Sequence, residues 1–172
     1  MKLAIVHDFL NQFGGAERVV LALHEAFPDA PIYTSIYDRS GMPKDFTKMD
    51  IKTSFMQYFP GIMKHYKPYL PFYPFAFESM DIKGYDVILS SSSAFAKGVK
   101  KQEGTLHICY CHNPMRFAWR YNDYIREEQV STAVKALLPL YLARLRMWDV
   151  TTSILPDKGE EELLPPTRPA PP

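Results

Sequence analysis

Lys2-Leu3-Ala4-Ile5-Val6-His7-Asp8-Phe9 is a near-continuous apolar run with no polar alternation. Strands covered on both faces, as in parallel sheets, read this way. Gly14-Gly15 follow, and then a segment from Ala16 to Phe27 in which Ala16, Val19, Val20, Leu23 and Phe27 recur at helical spacing. Glu17, Arg18, His24 and Glu25 fall on the other side of that helix. Pro28-Asp29 ends it. Pro31 to Tyr37, rich in Ile, Tyr and Thr, is a second strand. Strand, glycine loop, helix and strand make a βαβ unit, whose crossover should be right-handed.

Downstream, Tyr85 to Ser90 and Thr105 to Cys111 are further buried strands. The second stops at His112-Asn113-Pro114, because the residue before a proline stays extended. Ile51 to Met56 is a candidate third strand, and Ser91 to Lys100 should open a short helix after a serine-rich turn. Tyr58 to Met80 is crowded with aromatic rings and carries Pro68, Pro71 and Pro74 three apart, which excludes a regular helix. A short helix near Ile62–Tyr66 and a kinked or irregular path to Phe77 are expected there. Met115 to Arg126 is mixed and aromatic. Val134 to Trp148 is amphipathic, with Val134, Leu137, Leu138, Tyr141, Leu142, Leu145 and Trp148 on one stripe and Pro139 as a kink or break. After Asp149 the apolar period stops, and Glu160-Glu161-Glu162 and five prolines from Pro165 to Pro172 suggest a disordered or irregular tail over 150–172. The expected fold is therefore α/β: one domain over 1–149, a Rossmann-like parallel sheet with helices on both faces. Ligands of such sheets bind at the carboxyl ends of the strands. That rule selects Asp8 to Glu17, Ser90 to Ser93 and His112 to Arg116.

Composition narrows the function classes. The 172 residues carry a formal charge of only +1, so no global field draws the chain to nucleic acid. The opening residues are too short an apolar run for a signal peptide, and no stretch reaches the length of a membrane span. Cys109 and Cys111 stand two apart on one strand face, about 7 Å from each other, which disfavours a disulfide. They read as reduced core thiols of a cytosolic protein.

Each candidate site has a structural and a functional reading. Gly14-Gly15 either form a tight strand-to-helix turn or let backbone approach a phosphate at the helix start; the pattern is neither G-x-G-x-x-G nor a Walker loop. His112 either hydrogen-bonds a sugar hydroxyl near a transferring group or caps its own loop. Asp8 faces the same cleft as His7, or braces the glycine loop. Ser90 to Ser93 bind phosphate or make a capped turn. Phe55 to Phe77, with Lys64 and Lys67, either meet a lipid boundary or lipid-linked acceptor or fill the core. No nucleophile elbow, zinc set or paired carboxylates are present, so no metal or cofactor is expected.

His7-Asp8-Phe9 running through Gly14-Gly15-Ala16-Glu17-Arg18-Val19, with Tyr33-Thr34-Ser35, resembles the opening of bacterial glycosyltransferase family 4 proteins. Tyr85-Asp86-Val87-Ile88-Leu89-Ser90-Ser91-Ser92, His112-Asn113-Pro114-Met115-Arg116-Phe117-Ala118-Trp119 and Arg146-Met147-Trp148-Asp149 extend the resemblance to about residue 149. It implies the N-terminal half of a GT-B fold and retaining, metal-free transfer of a mannose-like hexose from a nucleotide-sugar to a glycan or polyprenol-linked acceptor. By the same resemblance Gly14 and Gly15 would approach the donor diphosphate, and His112 would be the catalytic histidine beside the transferred sugar. Asp8, Asn11 and Arg116 would face the acceptor. The family's C-terminal donor domain has no counterpart after Asp149, and Glu160 to Glu162 are not its Glu-x7-Glu segment. The chain is thus expected to supply an acceptor half, inactive without a separately encoded donor domain. It is expected to be cytoplasmic, with peripheral contact through Phe55–Phe77 at the inner membrane face. The alternatives are a non-catalytic acceptor-, membrane- or partner-binding module, and an unrelated dehydrogenase-like domain in which Asp38 would read a ribose.

Overall fold

Strand β1 (Leu3–His7) is buried along its whole length. Leu3 and Ile5 pack on one side with Leu10, Val20, Ile32 and Phe46, while Ala4 and Val6 pack on the other with Tyr73, Phe77, Phe95 and Leu145. Successive side chains of a strand point to opposite faces, so an unbroken apolar run is what two cores require. Helix α1 (Gly15–Ala26) leads to β2 (Ile32–Thr34), parallel to β1 with Ile5 opposite Ile32. Strand β3 (Ile51–Thr53) adds beyond β2. The chain then crosses to the free side of β1, where β4 (Val87–Ser92) pairs with it, Leu3 opposite Val87 and His7 opposite Ser91. Strand β5 (Leu106–Cys111) and the two-residue β6 (Lys158–Gly159) complete the order β3-β2-β1-β4-β5-β6, every pair parallel. Helix α1 covers one face of this Rossmann-like sheet. Helices α2 (Tyr73–Glu78) and α4 (Thr132–Ser153) cover the other, with a single turn, α3 (Arg116–Trp119), between β5 and α4. This computed structural model describes residues 1–120, 132–154 and 156–159, without the side chains of residues 67, 132–137, 158 and 159.

The proline-rich segment departs from expectation. Residues near 62–66 make a single turn after Gly61, whose φ is +67°, and the regular helix lies later, at α2. Pro68 and Pro74 each sit in the first turn of a short helical piece, Lys67–Phe72 and α2, where a missing N–H costs nothing. The expected strand over Ile51–Met56 is shorter, because Ser54 caps a 3-10 turn over Phe55–Tyr58 through the N–H of Met56. The long helix passes through Pro139 and runs to Ser153, beyond the apolar period. Leu142, Leu145, Asp149 and Thr152 are its buried face; Val134 and Leu137 lie outside the described side chains. The first residues of the expected tail are ordered against the sheet. Asp157 accepts at Oδ2 from the His107 N–H at 2.8 Å and donates its own N–H to the His107 carbonyl at 2.7 Å, which seats β6 at the edge. Residues 121–126 of the mixed aromatic region, Glu160 to Glu162 and the proline-rich end lie outside the described residues.

Candidate functional site

Strand order reverses between β1 and β4, and the carboxyl ends of β1, β2, β4 and β5 meet there in register. This edge is polar although it is buried: His7, Asp8, Glu17, Thr34, Ser35, Ser90, Ser91 and Ser92 are all shielded from solvent. Buried polar groups persist only where they are paired, so their partners define what the edge is built to hold.

One hydrogen-bonded chain runs through it. The Gly14 N–H donates to Glu17 Oε2 at 2.7 Å. Glu17 Oε1 lies 3.5 Å from His7 Nε2. His7 Nδ1 is 2.9 Å from the Ser91 carbonyl, which can only accept, so Nδ1 carries hydrogen. The same nitrogen is 3.2 Å from Ser91 Oγ, and that hydroxyl is 2.8 Å from His112 Nε2. Ser91 therefore accepts from His7 and is placed to donate to His112. Burial would raise the Glu17 carboxyl, but hydrogen bonds from His7 and from backbone N–H groups outweigh it and hold Glu17 below the usual glutamate value. The helical period puts Glu17 on the solvent side of α1. Its side chain instead folds back over the first turn and ties the glycine loop to β1.

Asp8 does different work from either reading of the sequence. Its Oδ2 accepts from the N–H groups of Ser93 and Ala94 at 2.5 and 3.0 Å, and its Oδ1 from Phe95 and Ala96 at 2.6 and 2.7 Å. A carboxylate offers about four lone-pair sites, and all are used. Asp8 thus clamps the loop after β4, Glu17 braces the glycine loop, and no oxygen of Asp8 is left for an acceptor hydroxyl. Most of the serine run is also spent internally. Ser90 Oγ is 2.9 Å from His107 Nε2, and Ser92 Oγ accepts from the Lys97 N–H at 3.3 Å, while Ser93 gives only its backbone N–H to Asp8. Asp38 holds its own turn through Ser40 and Gly41, which lowers its carboxyl below the ordinary aspartate value.

Of the other candidates, Gly15 is exposed and a Cβ built there would meet nothing within 4 Å, whereas one at Gly14 would stand 3.1 Å from Glu17 Oε2. His112 is half-buried, its ring against the edge of Tyr110. Arg116 lines a cavity of about 250 Å³ together with Phe9, Tyr66, Ser93, Asn113 and Phe117. Asn11 is not on that wall, and its buried Oδ1 has no hydrogen-bond partner among the described residues. A larger hollow of about 550 Å³ lies at the opposite end of the strands, between Met1, Phe27, Asp29, Lys52 and Tyr85. The candidate site is the carboxyl end, where the glycine loop, the His-Ser-His chain and the Arg116 cavity lie together; the larger hollow instead carries Lys52 and Tyr85, hydrogen-bonded through Tyr33.

Contacts from α4 and the turn after β4 fix the segment that follows His112. Lys97 and Asp149 form a buried ion pair at 2.6 Å, and Asp149 Oδ2 also accepts from Trp119 Nε1 at 2.7 Å. Arg146 Nε donates to the Ala118 carbonyl at 2.7 Å. Cys109 is buried and Cys111 half-buried, both as free thiols. Among the described residues no group of three or more His, Cys, Asp or Glu side chains is placed to hold a metal ion, and no helix is long and apolar enough to cross a membrane. Comparison with family models, curated proteins and solved structures finds no match, so the functional reading rests on the geometry described above and on the quoted residues.

Proposed function

We propose that this domain is the acceptor-side wall of a glycosyltransferase cleft, serving transfer of a hexose from a nucleotide-sugar to a glycan or lipid-linked acceptor. The observation that carries the reading is the continuous chain Gly14–Glu17–His7–Ser91–His112, which joins a glycine loop at a helix start to a histidine at the end of the neighbouring strands. Departure of a nucleotide diphosphate needs preorganised donors where charge develops. Gly15, with open space beside it, lets the first turn of α1 approach that group, while Glu17 turns its carboxylate away from it, onto the Gly14 N–H and the His7 ring. Ser91 fixes the ring of His112, which takes the position beside the transferred sugar. The Arg116 cavity supplies polar edges at Ser93 and Asn113 and an apolar floor at Phe9 and Phe117 for the acceptor. The donor base and ribose would be held by a second wall, in a longer chain or on a partner.

Amide shifts in NMR spectra during titration with nucleoside-diphosphate hexoses test the assignment. Gly15, Ala16 and His112 should move, and Gly15→Asp, which sets a carboxylate against the diphosphate, should abolish the response without lowering the thermal midpoint. Turnover by these 172 residues alone should be a trace at most. Shifts confined to Phe27, Asp29 and Lys52, or robust transfer by the chain alone, would overturn the proposal.

A further inference from the structure

Helix α4 carries apolar side chains on two sides. Leu142 and Leu145 are buried in the core over the sheet, and Asp149 and Thr152 extend that inner face. On the other side Leu140, Ala143, Met147, Val150 and Ile154 are all exposed, with Ile154 just past the last helical residue. Leu140, Met147, Val150 and Ile154 keep 68%, 70%, 56% and 80% of their surface in solvent. The spacing along this outer row is three, four, three and four, which is that of the a and d positions of a heptad repeat. Arg144 and Arg146 flank the row in its first half, Thr151 and Ser153 in its second. Single exposed apolar residues are ordinary, but an unbroken periodic row about 21 Å long is not.

We infer that this row is a self-association seam, whose occupant is the same row of a second copy of the chain, packed antiparallel about a twofold axis. Its width selects a helix as the partner. A row confined to two positions in seven is the narrow seam of paired helices, whereas a helix lying in lipid presents a broad apolar face. Side-chain size selects a second copy and its direction. Long residues (Leu140, Met147, Ile154) alternate with short ones (Ala143, Val150). Antiparallel pairing sets each long side chain beside a short one, while parallel pairing would set Ala143 against Ala143 and leave a void. Charge fixes the register. With Ala143 opposite Ile154 of the second copy, and Met147 opposite its Val150, Arg144 and Arg146 come beside Thr151 and Ser153 and not beside other arginines. Trp119, 47% exposed and covered by the Arg146 guanidinium at 5.8 Å, borders the row and widens it with a ring of the kind interfaces favour. A four-turn seam is smaller than the roughly 800 Å² per partner of a standard interface, so the dimer is reversible and concentration-dependent. No described residue of α4 lines the Arg116 cavity, so the seam stands apart from the candidate site, and the pairing does not depend on the transferase reading.

Sedimentation equilibrium of the full chain tests this directly and should show a monomer–dimer equilibrium. Met147→Glu should weaken it about thirtyfold or more, the loss expected for a central anchor. Its far-UV circular dichroism and dilute thermal midpoint should match the parent, since the side chain is at the monomer surface. The double variant Ala143→Cys/Ile154→Cys should form disulfide-linked dimers on mild oxidation, well beyond the parent. Neither single variant should, because residue 143 would stand about 16 Å along the axis from its counterpart. A parent that stays monomeric over the whole concentration series, or a dimer indifferent to Met147→Glu, would overturn the inference. So would a dimer lost instead in Phe72→Ser/Phe75→Ser, whose rings are 46% and 63% exposed on a different part of the surface. Flotation on phosphatidylglycerol vesicles that Met147→Glu abolishes would overturn it as well, because lipid would then be the occupant. Ready cross-linking of either single variant would overturn the antiparallel pairing.

Discussion

Glu17 stands three residues after Gly14 and satisfies that residue's N–H, a donor that the helix itself leaves orphaned. Its other oxygen faces His7, so one side chain fastens the glycine loop to the central strand. Glu17→Ala frees a buried donor and strips His7 of its partner. It should cost about 1–3 kcal/mol, read from urea midpoints. Glu17→Gln keeps an acceptor for Gly14 and should lose less; equal stability of the alanine variant and the parent would show that the link holds nothing. The helical period misplaces this residue because in the first turn a side chain can fold back past the axis, and only the Gly14-x-x-Glu17 spacing carried the signal. Asp8 was legible as a strand-end residue at this edge but not as a clamp. Its partners, Ser93 to Ala96, follow 85 to 88 residues later, and no local pattern encodes such a pairing. His112, by contrast, was placed correctly at its strand end because Pro114 dictates where extension stops.

At the scale of elements, β1 and the apolar first half of β4 were readable because burial on two faces demands apolar runs. Strand β5, expected as a buried strand, instead alternates, with His107 and Cys109 buried and Leu106 and Tyr110 exposed, and its readable feature was the stop before Pro114. Strand β6 was not readable. Lys158-Gly159 has no apolar signature and pairs only because Asp157 grips the backbone of His107. Composition alone could not sort the rings of 55–77, since the Phe72–Tyr73 step turns one ring outward and the next into the core. Helix α4 packs on the turn after β4 so tightly that a Cβ at Gly98 would stand 2.3 Å from Trp148 Cζ2. The indole cannot easily yield, because its Nε1 donates to Glu78 Oε1 at 2.7 Å. Gly98→Ala should therefore destabilise by about 1–3 kcal/mol in thermal melts. Combined with Trp148→Phe, it should cost less than the sum of the two single changes, and strict additivity would show that the contact is not the cause.

For the whole molecule, the buried titratable groups set a pH window. His107 is buried, and desolvation lowers its imidazole to about 4 from 6.5. The unfolded chain then takes a proton before the folded one, and stability falls by about 3 kcal/mol as pH drops from 6.5 to 4. Glu17, held below its usual value, adds to the loss at the acid end of that range. Desolvation raises the Cys109 thiol from 9.0 to about 11, so the unfolded chain ionises first and about 3 kcal/mol is lost over that interval. Thermal midpoints should be flat between about pH 7 and 8.5 and decline on both sides. His107→Gln should blunt the acid limb and Cys109→Ser the alkaline limb, and unchanged limbs would contradict the assignment. The placement of Asp8 also bears on how the chain is made. A ribosome that has released β1, α1, β2 and β3 has released a half-sheet whose central strand lacks β4 and whose first aspartate has none of its four amides. Closing a loop of that length precedes the contacts that reward it, which makes high contact order the brake on folding. The nascent N-terminal third must wait, sticky and unfinished, for residues 93–96 to emerge, with its strand edge and apolar face uncovered in that interval.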